Sequence, residues 1–285
     1  MIKKITELVK GLPVNEDVIP FVDSAKGETK KVVIDDLLKV IVPKNAGAHN
    51  GIYRGKDITE LFYDGTLSQQ IAAGTFDDVF IGDYIIGKVS KRKYLVADIN
   101  YRLHKGDIEL TTPHILMVPE RVMGIAKMND TNITTEAYIG SKMYKEYLTP
   151  FKTIIQNDFE IGHIVKHKTW LPNAVTNGYE SAGAWIESTI ELMNELMVFG
   201  SNIFHNAMSG TNVPTGNVTI DNSQLSLFRL DKSKIVALDD AGTRYWYWLR
   251  DVVSASNFAD VSGGGNCGNS GASDSGGVRP AFLIK

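Results

Sequence analysis

Two histidines have a spacing that metal sites use. His163 and His167 stand four residues apart in GHIVKHKTW, and on a helix this spacing could hold a metal ion. The motif lacks a glutamate beside the first histidine, and no third ligand stands out. Histidines on a polar surface or at a helix end are therefore the favoured interpretation, and we predict no metal here.

Polar residues in LHKGDIELTTPH could carry out acid–base chemistry. His104, Asp107, Glu109 and His114 provide carboxylates and histidines within a short stretch. However, HKGD is a typical hairpin turn, in which polar side chains are expected for conformational reasons. Because neither a nucleophile nor a substrate pocket is evident nearby, we interpret the four residues as part of a turn.

Three glutamates recur at intervals of four in SAGAWIESTIELMNELMVFG. The apolar residues of this stretch have helical spacing and Gly200 follows them, so we predict one helix that carries Glu187, Glu191 and Glu195. Paired carboxylates could cleave a glycosidic bond, but a solvated helix face is the commoner arrangement. Walker-A, G-x-S-x-G and dinucleotide-binding patterns are missing from the sequence. We therefore predict that the protein is not an enzyme.

The stretch TRYWYWLRD predicts a strand that is covered on at least one face. Alternation divides its side chains into two sets, Tyr245, Tyr247 and Leu249 on one face and Trp246, Trp248 and Arg250 on the other. Aromatic residues on both faces indicate a strand buried on both sides, or one with a side exposed for binding. In the closing GVRPAFLIK, Pro280 favours an edge position or a bulge.

The segment between these two strands has almost no apolar side chains. Residues 254–277 consist mainly of Gly, Ser, Asn, Asp and Ala, a composition typical of linkers. Too few residues follow Gly277 to form a separate unit, so the closing strand must pack back onto the same domain. We therefore predict a surface loop that is fixed at both ends and free to vary in sequence.

The composition is that of a globular protein without a nucleic-acid-binding surface. Of the 285 residues, 43% are hydrophobic and 22% charged, and the net charge is −3. The single cysteine, Cys267, excludes a disulfide within the chain and a thiolate zinc site. Neither a membrane-spanning run nor a Sec signal is recognisable, so we predict synthesis in the cytoplasm and no membrane insertion.

The remaining elements predict an α+β fold in two parts. Residues 1–45 contain two apolar runs around a turn at Ala25–Glu28, the second continuing as a helix after Asp35, and PKNAGAHNG marks the boundary with residues 46–285. The helices are predicted in TLSQQIAAGTF, ending at Gly74, and in SKMYKEYLTPFKTIIQNDF, interrupted near Pro150. Strands are predicted in DVFIGDYIIGKV paired with RKYLVADINYRL, and in HILMVP, SQLSLFRL and KIVALDD.

The chain resembles proteins of tailed-phage and prophage virions. The run YWYWLRDVVSASNFADV, followed by a variable loop and GVRPAFLIK, resembles C-type-lectin-like domains of phage and bacterial surface proteins. The upstream run from HNGIYRGKDIT to AGAWIESTIELMNELMVFGS is similar to virion structural proteins of Firmicutes phages. The opening ITELVKGLPVNEDVIPFVDSAKGETKKVVIDDLL is similar to segments that attach tail-fibre proteins to the virion.

The resemblance implies a virion protein that binds the host cell. Residues 1–45 would attach it to other virion proteins and form a homo-oligomer, with a trimer favoured. The loop would bind a cell-surface receptor or glycan without a cofactor. In some relatives a retroelement diversifies this loop, and the residues of 262–277 are compatible with such a process. The ligand-binding residues would be Ser256, Asn257, Asp260, Asn266, Asn269, Ser273 and Asp274, together with Trp246 and Trp248.

Two other functions remain open at this stage. The chain could be a head or tail decoration protein whose lectin-like fold serves only packing. It could also be a glycan hydrolase, for which no site geometry is apparent in the sequence.

A calcium ion bound by Asp260, Asn266 and Asp274 would need a spacing that differs from the EF-hand.

Overall fold

The computed structural model describes residues 18–23, 25–34, 37, 46–205 and 221–285. The chain divides into two units, residues 1–44 and 45–285. Helices and strands alternate irregularly along the second unit, which confirms the α+β class. Within the described ranges, no helix is long and apolar enough to cross a membrane.

The first unit contains an antiparallel hairpin. β1 (Val18–Asp23) pairs with β2 (Glu28–Val33), and the N–H groups of Lys26 and Gly27 close the turn onto the Asp23 carbonyl. The predicted turn is therefore confirmed. Apolar side chains of β1 are exposed on this hairpin, with Val18 50% and Val22 64% accessible. Most of the predicted helix after Asp35 lies outside the described residues.

The second unit is built around an antiparallel five-stranded sheet. Its strands, in spatial order, are β3 (Tyr84–Ile86), β4 (Lys93–Ile99), β5 (Ile115–Pro119), β16 (Pro280–Ile284) and β9 (Ile190–Leu192). The predicted pairing of β3 with β4 is confirmed, and the strand predicted in HILMVP is β5. The prediction of an edge position or a bulge at Pro280 was wrong, because β16 lies between β5 and β9 in regular register and Pro280 is its first residue.

A second sheet also has five strands. In spatial order they are β14 (Cys267–Gly271), β13 (Asn257–Val261), β12 (Tyr247–Val252), β15 (Gly276–Gly277) and β6 (Ile125–Ala126). Its β12 is buried on both faces, since Tyr247 and Leu249 join one hydrophobic core and Trp248 and Val252 join another. This confirms the prediction from the aromatic alternation.

A long two-stranded hairpin replaces most of the helix predicted over residues 181–200. β7 (His167–Thr176) pairs with β8 (Tyr179–Ser188) through a two-residue turn at Asn177–Gly178. Both turn residues have positive φ, 53° and 84°, as a type I′ turn requires. Strand pairing from this turn overrides the helical spacing of the apolar residues. A short helix, Glu195–Phe199, remains, and Asn194 Oδ1 caps it by accepting from Met197 N–H.

The other helices pack around the two sheets. The helices predicted to end at Gly74 and to be interrupted near Pro150 are confirmed. The strand predicted in SQLSLFRL is instead a helix, and the Asp98 carboxylate binds its first N–H, that of Ser226. KIVALDD contributes a 3-10 turn and the short β10 (Ala237–Leu238), which pairs with β11 (Arg244–Tyr245). The α-helices are Ala46–His49, Thr59–Tyr63, Thr66–Ala73, Ala137–Gly140, Thr149–Phe159, Glu195–Phe199 and Ser226–Leu230, with a π-helical turn at Met143–Tyr147 and 3-10 turns at Ile161–His163 and Lys232–Ile235.

Candidate functional site

The Gly/Ser/Asn segment forms a pair of strands rather than the predicted loop. β13 and β14 pair in register from Asn257–Gly271 to Val261–Cys267, and β13 also pairs with β12. The segment is thus the outer hairpin of the second sheet. The loop prediction was wrong because small polar residues show no apolar alternation, whereas backbone pairing does not depend on it.

Five predicted ligand-binding residues come together at the end of this hairpin that is distant from its turn. Asn257 Nδ2 donates to Asn269 Oδ1 at 2.8 Å, and Ser256 Oγ donates to Asn257 Oδ1 at 2.7 Å. Ser273 and Asp274 follow β14, where Asp274 Oδ2 accepts the Gly271 N–H at 2.9 Å. These side chains are at least partly accessible and belong to neither core.

The other four predicted residues lie elsewhere. Trp248 is fully buried with its Nε1 donating to the Ala126 carbonyl, and Asp260 is buried and accepts the Ser270 hydroxyl at 2.7 Å. Neither faces solvent, so their prediction as ligand-binding residues was wrong. Trp246 is half-buried, with its ring edge-on to Trp248. Asn266 lies in the turn at the opposite end of the hairpin.

A second segment, residues 129–135, is bonded along the same end of the hairpin. The Asn129 N–H donates to the Ala272 carbonyl at 2.7 Å. The Asn132 carboxamide oxygen accepts both the N–H and the hydroxyl of Ser273, each at 2.8 Å. This segment supplies further exposed polar side chains beside the predicted residues. Nothing in the local sequence connects the two segments, which are 141 residues apart at the Asn132–Ser273 contact.

The turn of the β7–β8 hairpin completes this surface. A Cβ added to Gly178 would lie 3.2 Å from Ala255 N, so the turn packs directly against the start of the polar segment. Tyr179 follows the turn and is 45% exposed. The Asn-Gly pair is the strongest sequence signal for such a turn, and it could have revealed this hairpin.

We define the polar surface as residues 129–135, 176–179, 254–257 and 269–274. These segments contain amides and hydroxyls but no lysine or arginine. Their two acidic residues are engaged, since Asp130 pairs with Lys142 and Asp274 accepts the Gly271 N–H. Two exposed apolar side chains, Ile133 and Tyr179, lie among them. The surface is therefore suited to hydrogen-bonding an uncharged ligand around an aromatic anchor.

Arg250 of the W-L-R motif (residues 248–250) and Arg279 of the G-V-R-P motif (residues 277–280) are buried in the frame behind this surface. Arg250 Nη2 lies 2.6 Å from Asp221 Oδ2, and its Nη1 donates to the Leu192 carbonyl at 3.0 Å. Arg279 Nε donates to the Pro119 carbonyl at 2.9 Å, and its Nη1 donates to the Lys234 carbonyl at the same distance. Arg250 thus links β12 to β9 and to residue 221, and Arg279 links the end of β5 to the 3-10 turn at Lys232–Ile235.

Asp221 is the centre of a buried ionic network. It binds Arg102 through two hydrogen bonds, at 2.8 and 2.9 Å, in addition to Arg250. Burial would raise the pKa of the Asp221 carboxyl, but the two guanidinium groups outweigh burial and lower it. Arg102 also donates to His167 Nε2, and burial together with the Arg102 charge lowers the pKa of His167 well below its usual value. His167 is therefore a neutral acceptor in the network.

A second buried cluster contains three carboxylates around His205. Glu180 Oε2 lies 2.8 Å from His205 Nε2, and the Glu195 carboxylate accepts backbone N–H groups of residues 203–205. Burial would lower the pKa of His205, but the hydrogen bond and charge of Glu180 outweigh burial and raise it to about 9. Burial raises the pKa of Asp251, whose Oδ2 accepts the Glu195 N–H, to about 7.

The histidines with metal-site or acid–base spacing are separated in the fold. His163 ends a 3-10 turn, whereas His167 begins β7 and is buried, so they share no helix face. His104 and Glu109 form an exposed pair at 3.2 Å, while Asp107 pairs with Lys168. His114 is buried, and burial lowers its pKa to about 4.

The three glutamates are likewise separated, and the prediction of one helix face was wrong. Glu187 is exposed on β8 and pairs with Lys166 at 3.2 Å. Glu191 is buried on β9 and accepts the Tyr138 hydroxyl at 2.8 Å, whereas Glu195 belongs to the carboxylate cluster around His205. No glycosidase-type pair results from this arrangement.

In the part of the chain that the structure describes, no three His, Cys, Asp or Glu side chains are grouped as ligands for a metal ion. The carboxylates considered for calcium bond elsewhere, Asp260 to Ser270 and Asp274 to the Gly271 N–H. Cys267 Sγ lies 3.6 Å from Glu195 Oε1, and burial raises the pKa of this thiol, which disfavours the reactive thiolate.

Comparison with known proteins assigns part of the chain to a recognised domain. No curated protein and no solved structure matches the sequence. Residues 176–285 match a domain of unknown function, DUF6273. The matched region begins at the turn of the β7–β8 hairpin and contains most of the polar surface, the two motif arginines and the closing strand of the first sheet.

Proposed function

We propose that this chain is a non-enzymatic phage virion protein that adheres to the host cell through the polar surface. The observation that carries the proposal is the convergence of segments distant in sequence into one exposed polar surface. Its amides and hydroxyls contribute to neither hydrophobic core. These groups are bonded to one another but remain partly accessible, so their remaining donors and acceptors can bond a ligand, as the lectin-like resemblance of the C-terminal region implies.

The frame behind the surface is suited to presenting such groups. β12 is packed on both faces, and the backbone hydrogen bonds of β13 and β14 fix the positions of Asn257 and Asn269. A surface held on strands loses little conformational entropy when it binds. Tyr179 supplies the aromatic anchor that the Gly/Ser/Asn segment itself lacks.

The first unit is proposed to attach the protein to other virion proteins as an oligomer, with a trimer favoured. A two-stranded hairpin is marginally stable alone, and β1 leaves Val18, Ile19, Phe21 and Val22 exposed. Contacts with other chains would cover these residues. Several copies on one particle would then raise the strength of adhesion through avidity, even if each site binds weakly.

The proposal is tested by the binding of the full chain to cells of the host bacterium. We expect Tyr179→Ala and the double variant Asn257→Ala/Asn269→Ala each to reduce cell binding at least tenfold. Tyr179→Phe, which keeps the ring, should retain most of it. The matched control is Ser233→Ala, an exposed serine in the 3-10 turn away from the surface. Wild-type levels of binding by the first two variants, or no cell binding by the wild type, would favour a decoration protein instead.

A further inference from the structure

The outer face of the β7–β8 hairpin carries two tryptophans directly opposite each other. Trp170 pairs with Trp185 in the register, and the ring centroids lie 5.9 Å apart at an interplanar angle of 75°. The opposite face of the hairpin packs inward through Leu171 and Ile186, which belong to or contact the second core. Neither tryptophan belongs to a core, and both remain partly accessible.

Gly183 determines how Trp170 lies. A Cβ at Gly183 would be only 2.8 Å from Cε2 and Nε1 of the Trp170 indole, so the ring rests directly on the strand backbone. One part of the indole therefore contacts the hairpin backbone, and the Trp170 side chain remains partly accessible to solvent. Trp185 stands edge-on beside it. The two rings, which are nearly perpendicular to each other, form the two aromatic sides of an open corner.

The polar groups at this corner are balanced in charge and include free donors. Among the described residues, neither the Trp170 nor the Trp185 indole N–H has a hydrogen-bond acceptor, whereas buried Trp248 has one. The neighbouring cross-strand pair is Lys168 with Glu187. Lys168 also pairs with Asp107, and Glu187 pairs with Lys166, so each cation is matched by an anion.

We propose that this corner, the tryptophan corner, is a binding site for a sugar ring of a neutral glycan. The C–H face of a pyranose stacks on an exposed indole, and its hydroxyls accept from indole N–H groups and donate to carboxylates such as Glu187. The balanced charges disfavour a polyanion such as a phosphate polymer. The site is separate from the polar surface and does not rest on the function proposed for it.

The proposal is tested by NMR of the four tryptophan indole N–H groups in the full chain. The probes are neutral hexasaccharides of glucose, galactose, mannose and N-acetylglucosamine, with hexagalacturonate as an anionic control. We expect at least one neutral hexasaccharide to shift the Trp170 and Trp185 signals in a saturable manner, while the buried Trp248 signal stays in place. The signals are assigned from single Trp→Phe variants.

Binding measured by calorimetry should weaken at least tenfold in Trp170→Leu and Trp185→Leu. Trp170→Phe and Trp185→Phe, the variants made for signal assignment, keep a ring but lack the indole N–H, so they should weaken binding less than the leucine variants do and serve if those fail to fold. The matched control is Tyr53→Leu, because the Tyr53 ring rests on Gly82 in the same way but, among the residues that the structure describes, has no second ring stacked beside it. The proposal is overturned if no neutral hexasaccharide binds, if only the anionic one does, or if the variants bind as the wild type does.

Discussion

Arg250 Nη2 donates to Asp221 Oδ2 at 2.6 Å, with both side chains buried. This contact links the central strand of the second sheet to residue 221, whose carboxylate also binds Arg102. The arginine of the W-L-R motif is therefore a structural anchor rather than part of the binding surface.

Removing one partner of this buried ion pair should destabilise the fold strongly. We expect Asp221→Asn to lower the free energy of unfolding by about 3–5 kcal/mol, because two buried guanidinium groups lose their counter-charge. Urea denaturation measures the change. Lys88→Gln is the control, because the Lys88–Glu160 pair is exposed to solvent and should contribute little to stability. A loss below about 1 kcal/mol in Asp221→Asn would contradict the assigned role.

The His205–Glu180 pair should make stability fall at alkaline pH. The folded-state pKa of His205 is raised to about 9, so its contribution is fully present below the unfolded value of 6.5 and is lost as pH rises through 9. We expect the free energy of unfolding to fall by about 2 kcal/mol between pH 7 and pH 9.5 from this group. His205→Gln should remove that part of the pH dependence. An unchanged pH profile in the variant would show that His205 does not cause it.

Asp251 should act in a lower pH range. Burial raises its folded-state pKa to about 7, so the folded state binds a proton more tightly than the unfolded state does. Its ionisation therefore costs stability progressively as pH rises from about 4 to 7. We expect Asp251→Asn to flatten the decline of stability between pH 5 and pH 7. An equally steep decline in Asp251→Asn would contradict the assignment.

Parts of the polar segment should not tolerate substitution. A Cβ at Gly276 would lie 2.5 Å from the Trp246 ring, so we expect Gly276→Ala to destabilise the fold by about 1–3 kcal/mol. Gly264→Ala is the matched control, because the nearest atom to its Cβ would be at 3.6 Å, and it should change stability by less than about 0.5 kcal/mol. Thermal unfolding separates the two. Equally small effects would contradict this prediction and would show that the segment is free to vary at both positions.

Elements with strong local signals could be predicted from the sequence. The β3–β4 pair, β5, β12 and β16 have apolar or alternating patterns that suit buried strands. The hairpin β7–β8 was missed because helical spacing in residues 181–200 obscured the Asn177–Gly178 turn. Pairing of its two strands and packing against the second core determine the structure of this hairpin. Neither can be recognised in a short stretch of sequence.

The polar surface could be predicted only in part. Asn257, Asn269 and Ser273 could be predicted from the sequence because they lie in one segment of unusual composition. Trp248 and Asp260 lie on strands whose neighbouring residues are buried as well, so their burial depends on packing against both faces of the second sheet. The contribution of residues 129–135 depends on contacts between residues far apart in sequence, which composition and spacing do not encode.

The central claim is tested most directly by hydrogen–deuterium exchange of the full chain with and without cell-wall fragments of the host bacterium. We predict new protection of backbone amides in residues 129–135, 176–179 and 269–274, with little change in residues 46–80. Peptides from Asn257→Ala/Asn269→Ala should show weaker protection at the same fragment concentration. Protection confined to other regions, or none while the fragments are bound, would contradict the assignment of the polar surface as the adhesive site.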